Sequence, residues 1–267
     1  MNIRKKFAVL GAAAALAFAF APVALATDLT DVGYIDQAAV GSLPQFQKAN
    51  AEIAQYKAQL DQQFSAASKS AKSDADRARI AQQFQKRFLD EQRRVLGPLF
   101  ARAQTAIAQV SSNKGLSVVV DKRIVIYGGQ NITASVISLI QSPGPVVPPV
   151  NTPPPSEIGF VDQLQIDQVA KIKQANDVFL KFANDQKQQT EAQLAKAKTP
   201  AEREQIVKTY QSTINDEQKK VLQPLVDETK RAMADIAKKK NLILVIDRSD
   251  VIYGGTDITA DVQNALK

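Results

Sequence analysis

The sequence EQRRVLGPL at Glu91–Leu99 returns as EQKKVLQPL at Glu217–Leu225, and this recurrence decides how the chain is organised. A second motif, VGYID at Val32–Asp36, returns at the same offset of 126 positions as IGFVD at Ile158–Asp162. A third motif, Tyr-Gly-Gly, occurs at Tyr127–Gly129 and at Tyr253–Gly255. Three motifs at one constant offset indicate a duplication without insertions. The chain is therefore predicted to contain two copies of one module.

The boundaries of the copies follow from composition. Copy one spans residues 28–141 and copy two spans residues 157–267, with seven prolines in the linker at residues 142–156. So many prolines favour polyproline II, which at about 3.1 Å per residue predicts a semi-rigid spacer of roughly 45 Å. The alternative is a ligand for domains with aromatic grooves. The position of the segment at the module boundary favours the spacer.

The first 26 residues are typical of a secretory signal peptide. Basic residues at Arg4–Lys6 precede the apolar run Phe7–Leu25, and Ala24–Ala26 supplies a small-residue cleavage site. The alternative is a membrane anchor, which needs about 20 apolar residues that reach across the bilayer. Pro22 and the polar residues after position 26 favour cleavage. We therefore expect a soluble, exported protein.

Composition restricts the chemistry of the protein. The chain has no Cys and no His, which removes thiol nucleophiles, thiolate ligands and the commonest general base and metal ligand. Without the first 26 residues, 31 basic and 27 acidic residues remain, a net charge of +4. That charge is too small to indicate nucleic-acid binding. We expect no enzyme, no metal and no cofactor, and a carboxylate-only enzyme is a distant alternative.

Each module is predicted to contain a long helical hairpin. Apolar residues recur every three or four positions from Phe46 to Ala67, and a second stripe follows from Ile80 to Phe88. Helix-start patterns at Ser73–Asp76 and Thr199–Glu202 place a break near 69–72 and near 195–198. We also expect Ser42 with Pro44 to begin the first helix. Pro98 and Pro224 are expected to kink the return helix, which runs to about Asn113 or Lys240.

Short apolar strands complete the module. They are predicted at Val32–Ile35, Leu116–Val120 and Ile124–Ile126 in copy one, and at Ile158–Val161, Leu242–Ile246 and Val251–Ile252 in copy two. Thr133 and Thr259 are expected to cap a short final helix. The fold class is α+β and mostly α, a small β body with a coiled-coil-like helical hairpin. So small a sheet has bare edges, which predicts oligomerisation through the body.

The opening Gly33–Asp36, the Ala/Gln/Lys-rich hairpin and the closing block Val245–Val262 resemble the Skp/OmpH family of periplasmic chaperones. Copy one departs from the closing block at Lys122–Ile124, Asn131 and Ser135. The resemblance implies a homotrimeric β body whose arms enclose unfolded outer-membrane proteins in the periplasm, without ATP. Three chains could then form two bodies, one from each copy; the alternative is that the fused pair has drifted to a different number of modules per body. The alternative is a coiled-coil scaffold or spacer of the cell envelope.

Candidate binding residues lie on the predicted arms. The arm faces offer apolar side chains for an unfolded client: Phe46, Ile53, Tyr56, Leu60, Phe64, Phe84, Phe88, Phe179, Phe182 and Tyr210. For Phe46, Ile53, Leu60, Phe84 and Phe88, the alternative is packing of one helix on the other. A basic cluster offers contacts to anionic lipid or client segments: Arg77, Arg79, Lys86, Arg87, Arg93 and Arg94. The alternative for this cluster is an ordinary solvated face.

Overall fold

A computed structural model describes residues 29–150 and 152–267, and the predicted signal peptide at residues 1–26 lies outside the described residues. The fold is α+β and mostly helical, which confirms the predicted class. Copy one contains β1 (Val32–Ile35), α1 (Gln37–Gly41), α2 (Pro44–Lys69), α3 (Asp74–Asn113), β2 (Val118–Asp121), β3 (Gln130–Asn131) and α4 (Thr133–Gln141). Copy two contains β4 (Ile158–Val161), α5 (Gln163–Ile166), α6 (Ala170–Lys196), α7 (Pro200–Val221), α8 (Gln223–Lys239), β5 (Leu244–Asp247), β6 (Val251–Gly254), β7 (Thr256–Asp257) and α9 (Thr259–Ala265).

The return helices begin at the predicted caps. The Ser73 hydroxyl accepts the Asp76 amide hydrogen at 3.1 Å, and Thr199 forms a capping box with Glu202. Each cap satisfies amide groups that the first helical turn leaves without an intrahelical acceptor. Both predicted breaks are confirmed, because α2 ends at Lys69 and α6 ends at Lys196.

Two other predicted caps are wrong. Helix α2 starts at Pro44, but its N-cap is Leu43, while the Ser42 hydroxyl donates to the Ala39 carbonyl at 2.8 Å. Thr133 is the first residue of α4 rather than its N-cap, and its hydroxyl accepts the Asp36 amide hydrogen at 3.0 Å. Ser42 instead ends α1, with helical backbone angles, and the Thr133 hydroxyl accepts from a residue outside its helix, so neither side chain caps the helix that follows. The first residue of α9 is likewise Thr259.

The prolines of the return helices act differently in the two copies. Proline removes one helical hydrogen bond and crowds the preceding turn. In copy two the helix is interrupted at Leu222, between α7 and α8 and two residues before Pro224. In copy one, α3 is 40 residues long and continues through Pro98 without interruption. The proline therefore interrupts the return helix in copy two only.

The chain divides into two compact units that do not follow the repeat boundary. The larger unit consists of Leu29–Asp162 and Lys240–Ile258, and the smaller unit consists of Gln163–Lys239 and Thr259–Lys267. In the smaller unit, α9 packs on α5 and α8 through side chains such as Ile166, Val262 and Met233, all nearly or fully buried. The larger unit thus contains the complete copy one and all the strands of copy two.

Two sheets lie in the larger unit. The first has the order β3-β1-β2-β6, with β1 parallel to β2 and β3 and with β2 antiparallel to β6. The second has the order β5-β4-β7, and β4 is parallel to both neighbours. The expectation of a separate β body for each copy is wrong, because β6 of copy two pairs with β2 of copy one. Three chains with one body from each copy would not contain this pairing.

Both faces of β1 and β2 are covered. One face packs beneath α3 and α4 through residues such as Ile35, Leu116 and Val119. The other face carries Val118 against side chains of copy two, including Phe160. A strand that is buried on both sides reads as an uninterrupted apolar run, which explains the sequence VVV at the start of β2.

Two further expectations for this unit fail. Residues Ile124–Ile126 do not form a strand; a 3-10 turn at Lys122–Ile124 is followed by extended Val125 and a bend at Ile126 and Tyr127, whereas the predicted strand of copy two is confirmed within β6. A strand needs a hydrogen-bonded neighbour, and β6 has one in β2. The linker does not hold two β bodies roughly 45 Å apart. Val146 packs on the copy-one core instead, and the Thr256 hydroxyl donates to the Ser156 carbonyl at 2.8 Å.

Candidate binding surface on the helical hairpins

The first hairpin, α2 with α3, is held by a buried apolar seam. Phe46, Ile53 and Leu60 are 4%, 8% and 5% exposed. The ring of Phe46 also lies 5.7 Å, centroid to centroid, from the ring of Phe100. These three side chains pack one helix on the other, so Phe46 and Ile53 offer no surface to a ligand in this conformation, and Leu60 offers only its edge at the groove described next.

Farther along the hairpin an aromatic groove remains open to solvent. Its floor contains Phe64, Phe84 and Phe88, and it encloses a volume of about 230 Å³. The Phe64 ring meets the Phe84 ring edge-on at 5.5 Å, and Phe64 is 36% exposed. Leu60, Ala81, Lys57, Asp61 and Gln85 complete the lining. The groove is small for a drug-like ligand but has room for an apolar side chain.

The rim of this aromatic groove carries charge. The Lys57 ammonium lies 2.6 Å from the Asp61 carboxylate, and the Arg87 guanidinium lies 5.3 Å from the centroid of the Phe84 ring. A cation over an aromatic face stabilises the ring position by about 0.5–1 kcal/mol at an exposed site. Arg87 therefore supports the aromatic floor. Tyr56, also a predicted contact, is half-buried on α2.

The second hairpin, α6 with α7, lacks this groove at the corresponding positions. Thr190 stands where copy one has Phe64, and it is 5% exposed, with its hydroxyl donating to the Gln186 carbonyl at 2.7 Å. Tyr210 takes the place of Phe84 and is 8% exposed. Phe179 and Phe182 are half-buried. The two arms therefore offer different surfaces, and the exposed aromatic cluster belongs to copy one.

The basic cluster is only partly available to an external anion. Carboxylates of the same helix hold three members: Arg77 contacts Asp74 at 2.8 Å, Arg79 contacts Asp76 at 3.3 Å, and Arg94 contacts Glu91 at 2.6 Å. Among the described residues, Lys86, Arg87 and Arg93 form no ion pair and are exposed. These three are the members that remain open to an anion.

Arg94 also links the two helices of the first hairpin. Its guanidinium contacts Glu52 of α2 at 2.7 Å in addition to Glu91 of α3. The hydrogen bond from Arg94 lowers the pKa of Glu91, and both carboxylates raise the pKa of Arg94 further above its ordinary value. The group is well exposed, so solvent screens the pair and its contribution to stability is small.

Arg102 is a residue that the sequence analysis missed. Its guanidinium donates to the carbonyls of Ile140 at 2.8 Å, Ser142 at 2.6 Å and Gly144 at 2.8 Å, and more weakly to Leu139. It therefore binds the end of α4 to the start of the linker. The corresponding residue of copy two is Glu228, which pairs with Lys171 at 2.6 Å. The opposite charge at this position in the two copies is the sequence signal that could have pointed to Arg102.

Within residues 29–150 and 152–267, no group of three or more His, Cys, Asp or Glu side chains is arranged to hold a metal ion. No helix in the same ranges combines the length and apolarity needed to cross a bilayer. Comparison with known proteins returned no matching family model, no similar curated protein and no similar solved structure.

Proposed function

We propose that the protein is an ATP-independent holdase chaperone of the periplasm that binds unfolded outer-membrane proteins and prevents their aggregation. The main observation that supports this proposal is the aromatic groove at Phe64, Phe84 and Phe88, which is half-exposed on a long hairpin. An open, shallow apolar surface favours weak contact with many side chains over tight binding of one ligand. Several such contacts give avidity and still allow release.

The proposed partners follow from the same surface. Unfolded outer-membrane proteins supply the apolar side chains for the groove, and Lys86, Arg87 and Arg93 attract anionic client segments or anionic lipid. The proposal includes a homo-oligomer, with a trimer favoured by the family resemblance. It includes no nucleic acid, no cofactor and no catalysis.

Light scattering of an unfolded porin that is diluted from urea tests the proposal. The protein at a stoichiometric amount is expected to suppress aggregation, and absence of suppression would refute the proposal. A structural scaffold of the envelope would bind a folded partner and remain indifferent to the unfolded porin.

A matched pair of variants tests the groove itself. Phe64→Thr gives copy one the residue type that copy two has at this position, and we expect about a three- to tenfold weaker apparent affinity for the porin, equivalent to about 0.7–1.4 kcal/mol. Val178→Thr is the control, because Val178 is 52% exposed on the other arm and lies outside the groove. Equal affinities of the two variants would contradict a role for the groove.

A further inference from the structure

The pairing of β2 with β6 shows how one copy of the module completes the sheet of the other. Val118 lies opposite Gly254 and Val119 lies opposite Tyr253, and a shift in register places Val120 opposite Val251. The Gly255 amide also donates to the Ser117 carbonyl at 3.0 Å. Copy two donates the strand in this contact and copy one supplies the edge.

Each copy contains a counterpart of the donated strand and a counterpart of the edge that receives it. The offset of 126 residues makes β5 the counterpart of β2, and it makes Val125–Gly128 the counterpart of β6. We call Val125–Gly128 the donor segment and the side of β5 away from β4 the acceptor edge. Neither takes part in a strand pairing in the described chain, since β5 pairs with β4 alone.

Both unused halves expose apolar side chains. Ile126 and Tyr127 of the donor segment are 101% and 94% exposed, whereas their counterparts Ile252 and Tyr253 pack against the core of copy one. On the acceptor edge, Leu244 is 42% exposed and its counterpart Val118 is fully buried. An exposed apolar strand edge invites pairing with another chain.

The glycines at the end of the donor segment already have the left-handed backbone conformation that the contact uses, whereas Ile126 and Tyr127 lie in a bend that straightens on pairing. Gly128 and Gly129 have φ values of 85° and 75°, and their counterparts Gly254 and Gly255 have 66° and 82°. At Gly254 a Cβ atom would overlap the Ser117 carbonyl, because β2 approaches closely. At Gly128 the nearest atom to such a Cβ is the Leu29 Cδ1, at 3.9 Å. The space for a neighbouring backbone is present and unused.

We propose that the donor segment of one chain adds as an antiparallel strand to the acceptor edge of a second copy of this chain. The register follows from the offset: Gly128 lies opposite Leu244, Tyr127 opposite Val245 and Val125 opposite Ile246 of the second copy. The Gly129 amide donates to the Ile243 carbonyl. This contact deepens the homo-oligomer of the proposed function, and it does not depend on client binding.

The contact joins chains head to tail. Each chain has one donor segment and one acceptor edge, so each chain takes part in two such contacts, one through each. Such heterologous contacts make a closed ring when the last chain meets the first and an open filament when it does not. We therefore expect an assembly of at least two chains.

Charge distinguishes the contact between chains from the contact within a chain. Within the chain, the Arg123 guanidinium lies 3.0 Å from Asp121 and also interacts with Asp250 of copy two. In the contact between chains, Ser249 and Ile124 take the places of Arg123 and Asp250. Its stability then comes from backbone hydrogen bonds and apolar burial, so the mass of the assembly is expected to be insensitive to salt.

Cysteine cross-linking tests the register, and the chain has no native cysteine. Opposed residues of an antiparallel pair have Cα atoms about 4.5–5.5 Å apart, which a disulfide spans. Tyr127→Cys with Val245→Cys in one chain is expected to oxidise to covalent multimers. The control, Val119→Cys with Tyr253→Cys, is expected to form a bond within one chain. A Tyr127/Val245 double variant that stays monomeric while the control oxidises would overturn the proposal.

The mass of the protein in solution supplies a test without cysteines. The parent chain is expected at twice the single-chain mass of 29.0 kDa or more, reduced by any cleaved signal peptide. Ile126→Lys with Tyr127→Lys is expected to return the mass to one chain, while Leu89→Lys, at a 50% exposed arm residue, keeps the assembly. A single-chain mass for the parent, or an unchanged mass for the double variant, would refute the contact. Failure of the porin assay alone would leave this result standing.

Discussion

Exchanging side-chain bulk between Gly33 and Leu116 tests how tightly the sheet packs beneath the helices. Leu116 is fully buried, and a Cβ atom added at Gly33 would lie 2.6 Å from the Leu116 Cδ1 and 3.2 Å from the Val119 Cγ2. The glycine in β1 therefore makes room for the leucine that follows α3. A larger residue at one position and a smaller residue at the other should partly compensate each other.

The structure sets the expected magnitudes. Leu116→Ala removes a fully buried side chain, which costs about 3–5 kcal/mol of unfolding free energy including the cavity left behind. Gly33→Ala overpacks the site and costs about 1–3 kcal/mol, because the leucine has little room to move. In the double variant the new methyl group enters the space that the leucine has left. The double variant should therefore be about 1–2 kcal/mol more stable than the sum of the single effects predicts.

Urea unfolding followed by circular dichroism at one protein concentration measures this cycle. The matched control is Gly159→Ala with Leu242→Ala in copy two, where the corresponding Cβ would lie 2.5 Å from the Leu242 Cδ1. Leu242 is only partly buried, so it can move outward, and we expect smaller single effects and a coupling below about 1 kcal/mol there. Additive effects at Gly33 and Leu116 would refute this account of the packing.

Three further variants test local features. Thr199→Ala removes the capping box of α7 and should cost about 1 kcal/mol, seen as faster amide exchange in its first turn; an unchanged exchange rate would contradict the role of the cap. Arg102→Gln should cost about 1–2 kcal/mol and speed exchange at 142–150, while exchange in α8 stays constant. Burial, and next the Asp247 carboxylate, raise the pKa of Asp250. Asp250 therefore destabilises the fold as the pH rises through that raised value. The variant Asp250→Asn should increase the free energy of unfolding in urea at pH 7 and lose this advantage below about pH 4. A gain that is independent of pH would contradict the assignment.

The helices could be predicted from sequence because their signals are local. The cap at Thr199, the break after Lys69 and the interruption near Pro224 depend on residues within one or two turns. The cap at Thr133 failed for the opposite reason. Its hydroxyl has a competing partner, and the Asp36 amide that it binds lies 97 residues away in the sequence. A short pattern carries no information about such a partner.

The candidate site was predictable as a face but not residue by residue. The three- and four-residue spacing placed Leu60 and Phe64 on one side of α2. Whether each is buried depends on which side chain of α3 lies opposite. The spacing of apolar residues within α2 does not specify how α3 is aligned with α2. Leu60 is thus 5% exposed and Phe64, one turn later, is 36% exposed. The same limit applies to Tyr210, which is buried although its counterpart Phe84 is half-buried.

The copies differ at their 3-10 turns, Lys122–Ile124 and Arg248–Asp250, and this difference favours one strand pairing over the others. Asp250 is attracted by the positive charge of Arg123 when β6 adds to β2. If β6 added to the β5 edge of another chain, Asp250 would find Ser249 in place of that cation. If the donor segment added to β2 of another chain, Ile124 would be pressed against the Arg123–Asp121 pair. The first wrong pairing removes the attraction between Asp250 and a cation, the second desolvates an existing ion pair, and an interface gains specificity by such penalties. We therefore expect Arg123 and Ile124, two of the positions at which copy one departs from copy two, to direct each strand to its own edge.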